Sequence, residues 1–84
     1  MDRYNYDYND ETIEATHRVE FVNRFGQSVS MPARFENDFD CINAACTDID
    51  MIELHSPGML IVSKYGGLQP NGFYELNEIY SQAI

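Results

Sequence analysis

Residues Glu36 to Val62 read ENDFDCINAACTDIDMIELHSPGMLIV, and the kind of fold turns on how this stretch is read. Its first half carries helix signals. Asn37 or Asp38 is placed to accept a free first-turn N–H, and acids there face the positive end of the helix dipole. Phe39, Ile42, Cys46 and Ile49 follow at spacings of three, four and three, which draws one apolar stripe. Ala44 and Ala45 add helix propensity. The second half reads as strand. Met51 to His55 alternates, Ser56-Pro57-Gly58 is a turn signal, and Met59 to Val62 is a strongly apolar run. The spacing therefore predicts a helix that stops near Thr47 or Asp48, with a second hairpin over Met51 to Tyr65.

On the N-terminal side, Ile13, Ala15, His17, Val19 and Phe21 alternate with Glu14, Thr16, Arg18 and Glu20, as on the two faces of a strand. Phe25-Gly26 breaks the run, and Gly26 offers the positive φ of a hairpin loop. Val29, Met31, Ala33 and Phe35 then alternate with Ser28, Ser30 and Arg34. Pro32 cannot donate to a ladder, which assigns this strand to an edge or a bulge. Thr12 to Phe35 is thus read as a hairpin.

On the C-terminal side, Gly66-Gly67 marks a bulge or bend, and Pro70-Asn71-Gly72 a turn. Phe73 to Leu76 is a candidate for a short fifth strand. Asn77 to Ile84 fits a frayed helical turn, with Leu76, Ile79, Tyr80 and Ala83 roughly aligned; periodicity leaves strand and helix open over residues 73–84. The expected fold is α+β: a small single-layer antiparallel β-sheet in ββ-α-ββ order packed on one α-helix. Residues 1–11 form an acidic Tyr/Asn/Asp-rich segment, flexible or an edge strand, and residues 12–84 a single domain.

With 84 residues the chain holds one core. A domain of this size buries only about 60–65% of the surface its unfolded chain exposes. Cys41 and Cys46, five apart, sit about 140° from each other around a helix, so a disulfide between them is not expected. Met1 to Glu11 is polar and acidic, unlike a signal peptide, and the apolar run Met59 to Val62 is too short to span a bilayer. A reducing cytoplasm is the expected setting.

The side chains of enzymes are present, but not their arrangement. Cys41 or Cys46 with His17 or His55 supplies the types for a thiol nucleophile and its base. Cys46, however, falls in the apolar stripe, and His17 lies on the apolar face of its strand, where a hydrogen-bonded core histidine is the commoner role. No catalytic activity is expected. Two Cys and two His are too scattered for zinc, which favours closely spaced pairs. Asp48-Ile49-Asp50 followed by Glu53 lacks the third acid at the spacing of a calcium loop and the glycine of its sharp turn. No cofactor or metal is expected, with weak divalent-ion binding kept as an alternative.

The charge is the functional signal. Fourteen acids against five cations give a net charge of −9. Between Arg34 and Lys64 there is no Lys or Arg, while Glu36, Asp38, Asp40, Asp48, Asp50 and Glu53 all fall there. Such a chain repels nucleic acid and anionic membranes and is drawn to basic surfaces. Helix-start geometry accounts for Glu36, Asp38 and Asp40, and Glu14 and Glu20 have Arg18, Arg24 and Arg34 as cross-strand neighbours. Asp48 and Asp50 would sit at the negative end of the predicted helix, where acids are unfavourable. In the N-terminal segment Tyr4, Tyr6 and Tyr8 share one face if extended. The expected contact residues are accordingly Asp38, Asp40, Asp48, Asp50 and Glu53 with Tyr4, Tyr6 and Tyr8.

In size, acidity and absence of motifs, the chain resembles phage-encoded inhibitors of host defence, especially anti-CRISPR proteins and anti-restriction DNA mimics. The resemblance is compositional and carries no residue across. It implies a protein-binding inhibitor, working in the host cytoplasm, that occupies a basic surface of a larger protein, of the kind that binds nucleic acid. A homodimer built on the Pro32-bearing edge or on the terminal segment is the alternative from another class.

Overall fold

The structure, a computed structural model, describes residues 15–84. The readings placed on Met1 to Glu14, the stripe of Tyr4, Tyr6 and Tyr8 among them, lie outside the described residues. The order of elements is β1 (His17–Asn23), β2 (Ser28–Ala33), α1 (Asp38–Cys46), α2 (Ile49–His55), β3 (Gly58–Leu68) and β4 (Tyr74–Ala83). The strands form one antiparallel sheet in the order β2-β1-β3-β4. The fold is α+β, as expected, with the helical link carrying the chain from one side of β1 to the other.

Alternation in β1 fixes which face is covered. His17, Val19 and Phe21 stand opposite Ala33, Met31 and Val29 on β2 and opposite Lys64, Val62 and Leu60 on β3. The two helices lie over this face. Val19, Phe21, Ala33, Leu60 and Val62 are fully buried there with Cys41 and Ala45 of α1. Full burial of one such Val, Leu or Phe side chain contributes about 1.5–3 kcal/mol. His55, at the end of α2, stacks on Phe21 with ring centres 5.7 Å apart.

The punctuation follows the sequence closely. Gly26 and Gly72 both take positive φ in their turns, at 84° and 89°. Pro32 is on edge strand β2, and the sheet register shifts between Tyr65 and Leu68, where Gly66-Gly67 lies. Both cysteines are free.

Three local expectations are corrected. Met51 to His55 is helix, so the second hairpin runs from β3 to β4 and starts at Gly58. Thr47 closes α1, turning its N–H and hydroxyl back to the Asn43 and Ala44 carbonyls. Asp48 then opens α2 by accepting the Met51 N–H at 3.3 Å. Over five residues, strand alternation and the inward helical set Met51, Ile52 and His55 fit the same letters, and the cap decides between them.

The apolar stripe of α1 is also rotated. Phe39 and Ile49 are 73% and 57% exposed, whereas Cys41 and Ala45 are fully buried. The inward line is Asp38, Cys41, Ile42 and Ala45, an i, i+3, i+4, i+7 set anchored by Asp38 on His17. That anchor leaves Phe39 outward, while Ile42 and Cys46 of the expected stripe pack against the core and Ile49 belongs to α2.

Finally, Tyr74 to Ala83 is one ten-residue strand, with Phe73 to Leu76 leading into it rather than forming a fifth strand or preceding a helical turn. Val62 pairs with Tyr80 but Ser63 with Glu78, so Ile79 is an extra residue in β4. One inserted residue breaks the period of two and gives the sequence its false helical spacing.

Candidate protein-binding surface

The start of α1 is tied to the sheet through a buried histidine. His17 Nε2 lies 2.8 Å from Asp38 Oδ1, and His17 Nδ1 lies 2.7 Å from the Thr16 hydroxyl. An ionised carboxylate only accepts, so the Nε2 proton is donated to Asp38. The Thr16 hydroxyl accepts the Phe35 N–H at 2.9 Å and is also within reach of the Phe35 carbonyl at 3.2 Å. With a neutral ring Thr16 donates to Nδ1; with a charged ring it accepts from Nδ1 and donates to the carbonyl. The network is satisfied in both states. It joins β1, the end of β2 and α1 at one point. Lys64 Nζ adds a long contact to Asp38 Oδ1 at 3.7 Å.

The His17 hydrogen bond holds the Asp38 carboxyl below its ordinary value of 3.8, against the opposing effect of partial desolvation and with help from Lys64. A depressed carboxyl contributes stability that is present above its unfolded pKa and lost as pH falls through its folded pKa. Denaturant titrations at a series of pH values should therefore show the wild type losing stability below the ordinary carboxylate range. Asp38→Asn should be less stable near neutrality and show a flatter acid limb. Parallel limbs for the two proteins would remove Asp38 from this role.

Burial pushes the Cys41 thiol up to about 11, and the neighbouring Asp38 charge adds to the shift. A thiol held protonated is a poor nucleophile or ligand. The Cys46 Sγ lies 3.7 Å from both the Tyr80 hydroxyl and Gln82 Oε1, either of which can accept its single proton, and Tyr80 donates to Gln82. These contacts seat the end of α1 on β4. Among the described residues no group of three or more His, Cys, Asp or Glu is placed to hold a metal ion. No helix among them is long and apolar enough to cross a membrane.

The acids singled out by sequence all fall in the helical layer, in distinct roles. Asp38 faces the sheet. Asp40 is exposed at the first turn of α1, where its N–H bonds to the Asn37 side chain at 2.8 Å and its carboxylate accepts from Asn37 Nδ2 at 3.1 Å. Asp48 caps α2 and Asp50 lies in its first turn, so both stand at the positive end of the α2 dipole, although Asp48 also follows directly on the Thr47 cap of α1. Glu53 is exposed on the middle of α2. Glu20 makes no ion pair with Arg18, Arg24 or Arg34 among the described residues.

What sequence reasoning missed is the apolar half of the surface. Phe39, Ile49 and Leu54 are 73%, 57% and 71% exposed. On α2, Asp50, Glu53 and Leu54 fall at i, i+3 and i+4, so acids and an apolar side chain share the outward face. Leu54 carried a signal, since it follows Glu53 out of register with the inward set Met51, Ile52 and His55. No protein-family model, curated protein or solved structure matches this chain.

Proposed function

We propose that this protein is a small inhibitor that binds a larger protein through the outer face of α1 and α2, occupying a basic surface on which that protein holds nucleic acid. The observation that carries the reading is the make-up of the helical layer. Residues 36–57 hold six carboxylates and no Lys or Arg, with Phe39, Ile49 and Leu54 exposed among them. Carboxylates engage the arginines and lysines that otherwise bind phosphate, and charge-assisted bonds of this kind set orientation and encounter rate. The exposed apolar side chains supply what bare charge does not, a contact area that gains from leaving water. A solvated acidic face has no need of them.

The test is capture of the target from host cells, followed by binding measurements over a salt series with and without competing duplex DNA or RNA. Affinity should fall as salt rises, and nucleic acid should displace the protein. Asp40→Lys combined with Glu53→Lys should weaken binding at low salt by at least about tenfold, mostly through slower association. Both side chains are exposed, and far-UV circular dichroism checks that α1 keeps its helix without the Asn37–Asp40 side-chain bond. Asp48 is a poor choice for this test because it caps α2. A target indifferent to salt, to nucleic acid and to the double reversal would sink the reading.

A further inference from the structure

Strand β4 is an edge of the sheet among the described residues; it is blunted neither by shortness nor by proline or lysine, and its bulge at Ile79 lies ahead of the Ser81–Ala83 end. It runs ten residues, Tyr74–Ala83, with no proline and no Lys or Arg. Natural edges are commonly blunted by short length, lysine or proline. The opposite edge, β2, follows that rule: it has six residues, includes Pro32 and is followed by Arg34. The two edges are therefore not equivalent.

The phase of the β3–β4 ladder is set by Gly58 and Ile84, which exchange both backbone bonds at 3.0 Å. Antiparallel ladders alternate, so Gln82 and Tyr80 also aim their backbone groups at β3, while Ala83 and Ser81 aim theirs away from the sheet. Ser81 and Ala83 are exposed. The only charges on this strand are Glu75 and Glu78, and from Tyr65 to Ile84 the chain has no cation.

We propose that β4 receives an extended, basic segment of a partner protein as a fifth strand, with main-chain bonds at Ser81 and Ala83 giving affinity and Lys or Arg side chains meeting the acidic strand. Strand addition of this type takes its affinity from the ladder and its selectivity from alternate side chains. A second copy of the chain is the poorer fit. Each copy carries a net charge of −9, so pairing two β4 strands would set two acidic strands with no compensating cation side by side. The inference concerns a different surface from the helical layer and does not depend on it.

The probe is a synthetic peptide of alternating Lys and Val, matched to the ten residues of β4, added to the full chain. Hydrogen exchange should show new protection at the Ser81 and Ala83 amides when the peptide is saturating, and none with a Glu/Val peptide of equal length. N-methylation of alternate peptide amides, in either phase, blocks one side of the added strand without changing charge. In the phase that faces β4 it should weaken binding at least about tenfold. Ser81→Pro should do the same with the sheet intact, since that N–H points away from β3. Equal binding by both methylated peptides would reduce the effect to charge attraction and overturn the proposal. Absence of protection at Ser81 and Ala83, or a dimer in light scattering with those amides already protected, would overturn it as well.

Discussion

Gly58→Ala should lose about 3 kcal/mol of folding stability, a large share of the 5–15 kcal/mol typical of a small domain. A Cβ on Gly58 would collide with the Val22 carbonyl oxygen and would stand 2.5 Å from the His55 carbonyl oxygen and 3.0 Å from Asn23 Cα. All three neighbours are main chain and cannot rotate aside. Gly58 sits where the end of α2, the end of β1 and the start of β3 converge, and both its backbone groups are bonded to Ile84. Any shift that relieves the clash is felt in all of them. Gly26→Ala gives the matched contrast. Its φ is +84° but nothing lies within 4 Å of the added carbon, so only the left-handed backbone cost of about 1 kcal/mol applies. Urea midpoints at constant m-value would compare the two, and equal losses would refute the packing account.

The contrast between these glycines shows where sequence reading reaches its limit. Gly26 announces itself locally, between two alternating runs, and its role was legible. Gly58 stands in a Ser-Pro-Gly turn signal, which explains its presence without the close approach that requires it. The same divide runs through the elements. The β1–β2 hairpin was legible because alternation and turn chemistry agree within a few residues. α2 was hidden because five residues satisfy two periods, and β4 because Ile79 is an unpaired insertion that only the partner strand reveals. At the candidate surface, the cation-free stretch was legible as charge and maps onto a single structural layer. The rotation of α1 was not. It depends on Asp38 meeting His17 across 21 positions in the chain, and no local period records that contact.

Two phenylalanines then separate stability from binding. Phe21→Ala should cost about 3–5 kcal/mol, since it removes the largest fully buried side chain from the second strand of the sheet order. Its ring also carries His55, whose Nδ1–H donates to the Met51 carbonyl at 2.9 Å, so its loss loosens the seat of α2 as well as the core. Phe39→Ala, on a side chain 73% exposed, should leave stability within about 0.5 kcal/mol. If the outer face of the helices binds the target, that same change should weaken the complex by about tenfold or more, because exposed aromatic anchors commonly carry a large part of binding energy. The pair makes a clean test. Thermal or urea unfolding reports the first variant, and affinity for the captured target reports the second. Should Phe39→Ala bind as the wild type does while the Asp40 and Glu53 reversals weaken the complex, binding would be electrostatic alone, and the apolar face of α1 would have no part in it.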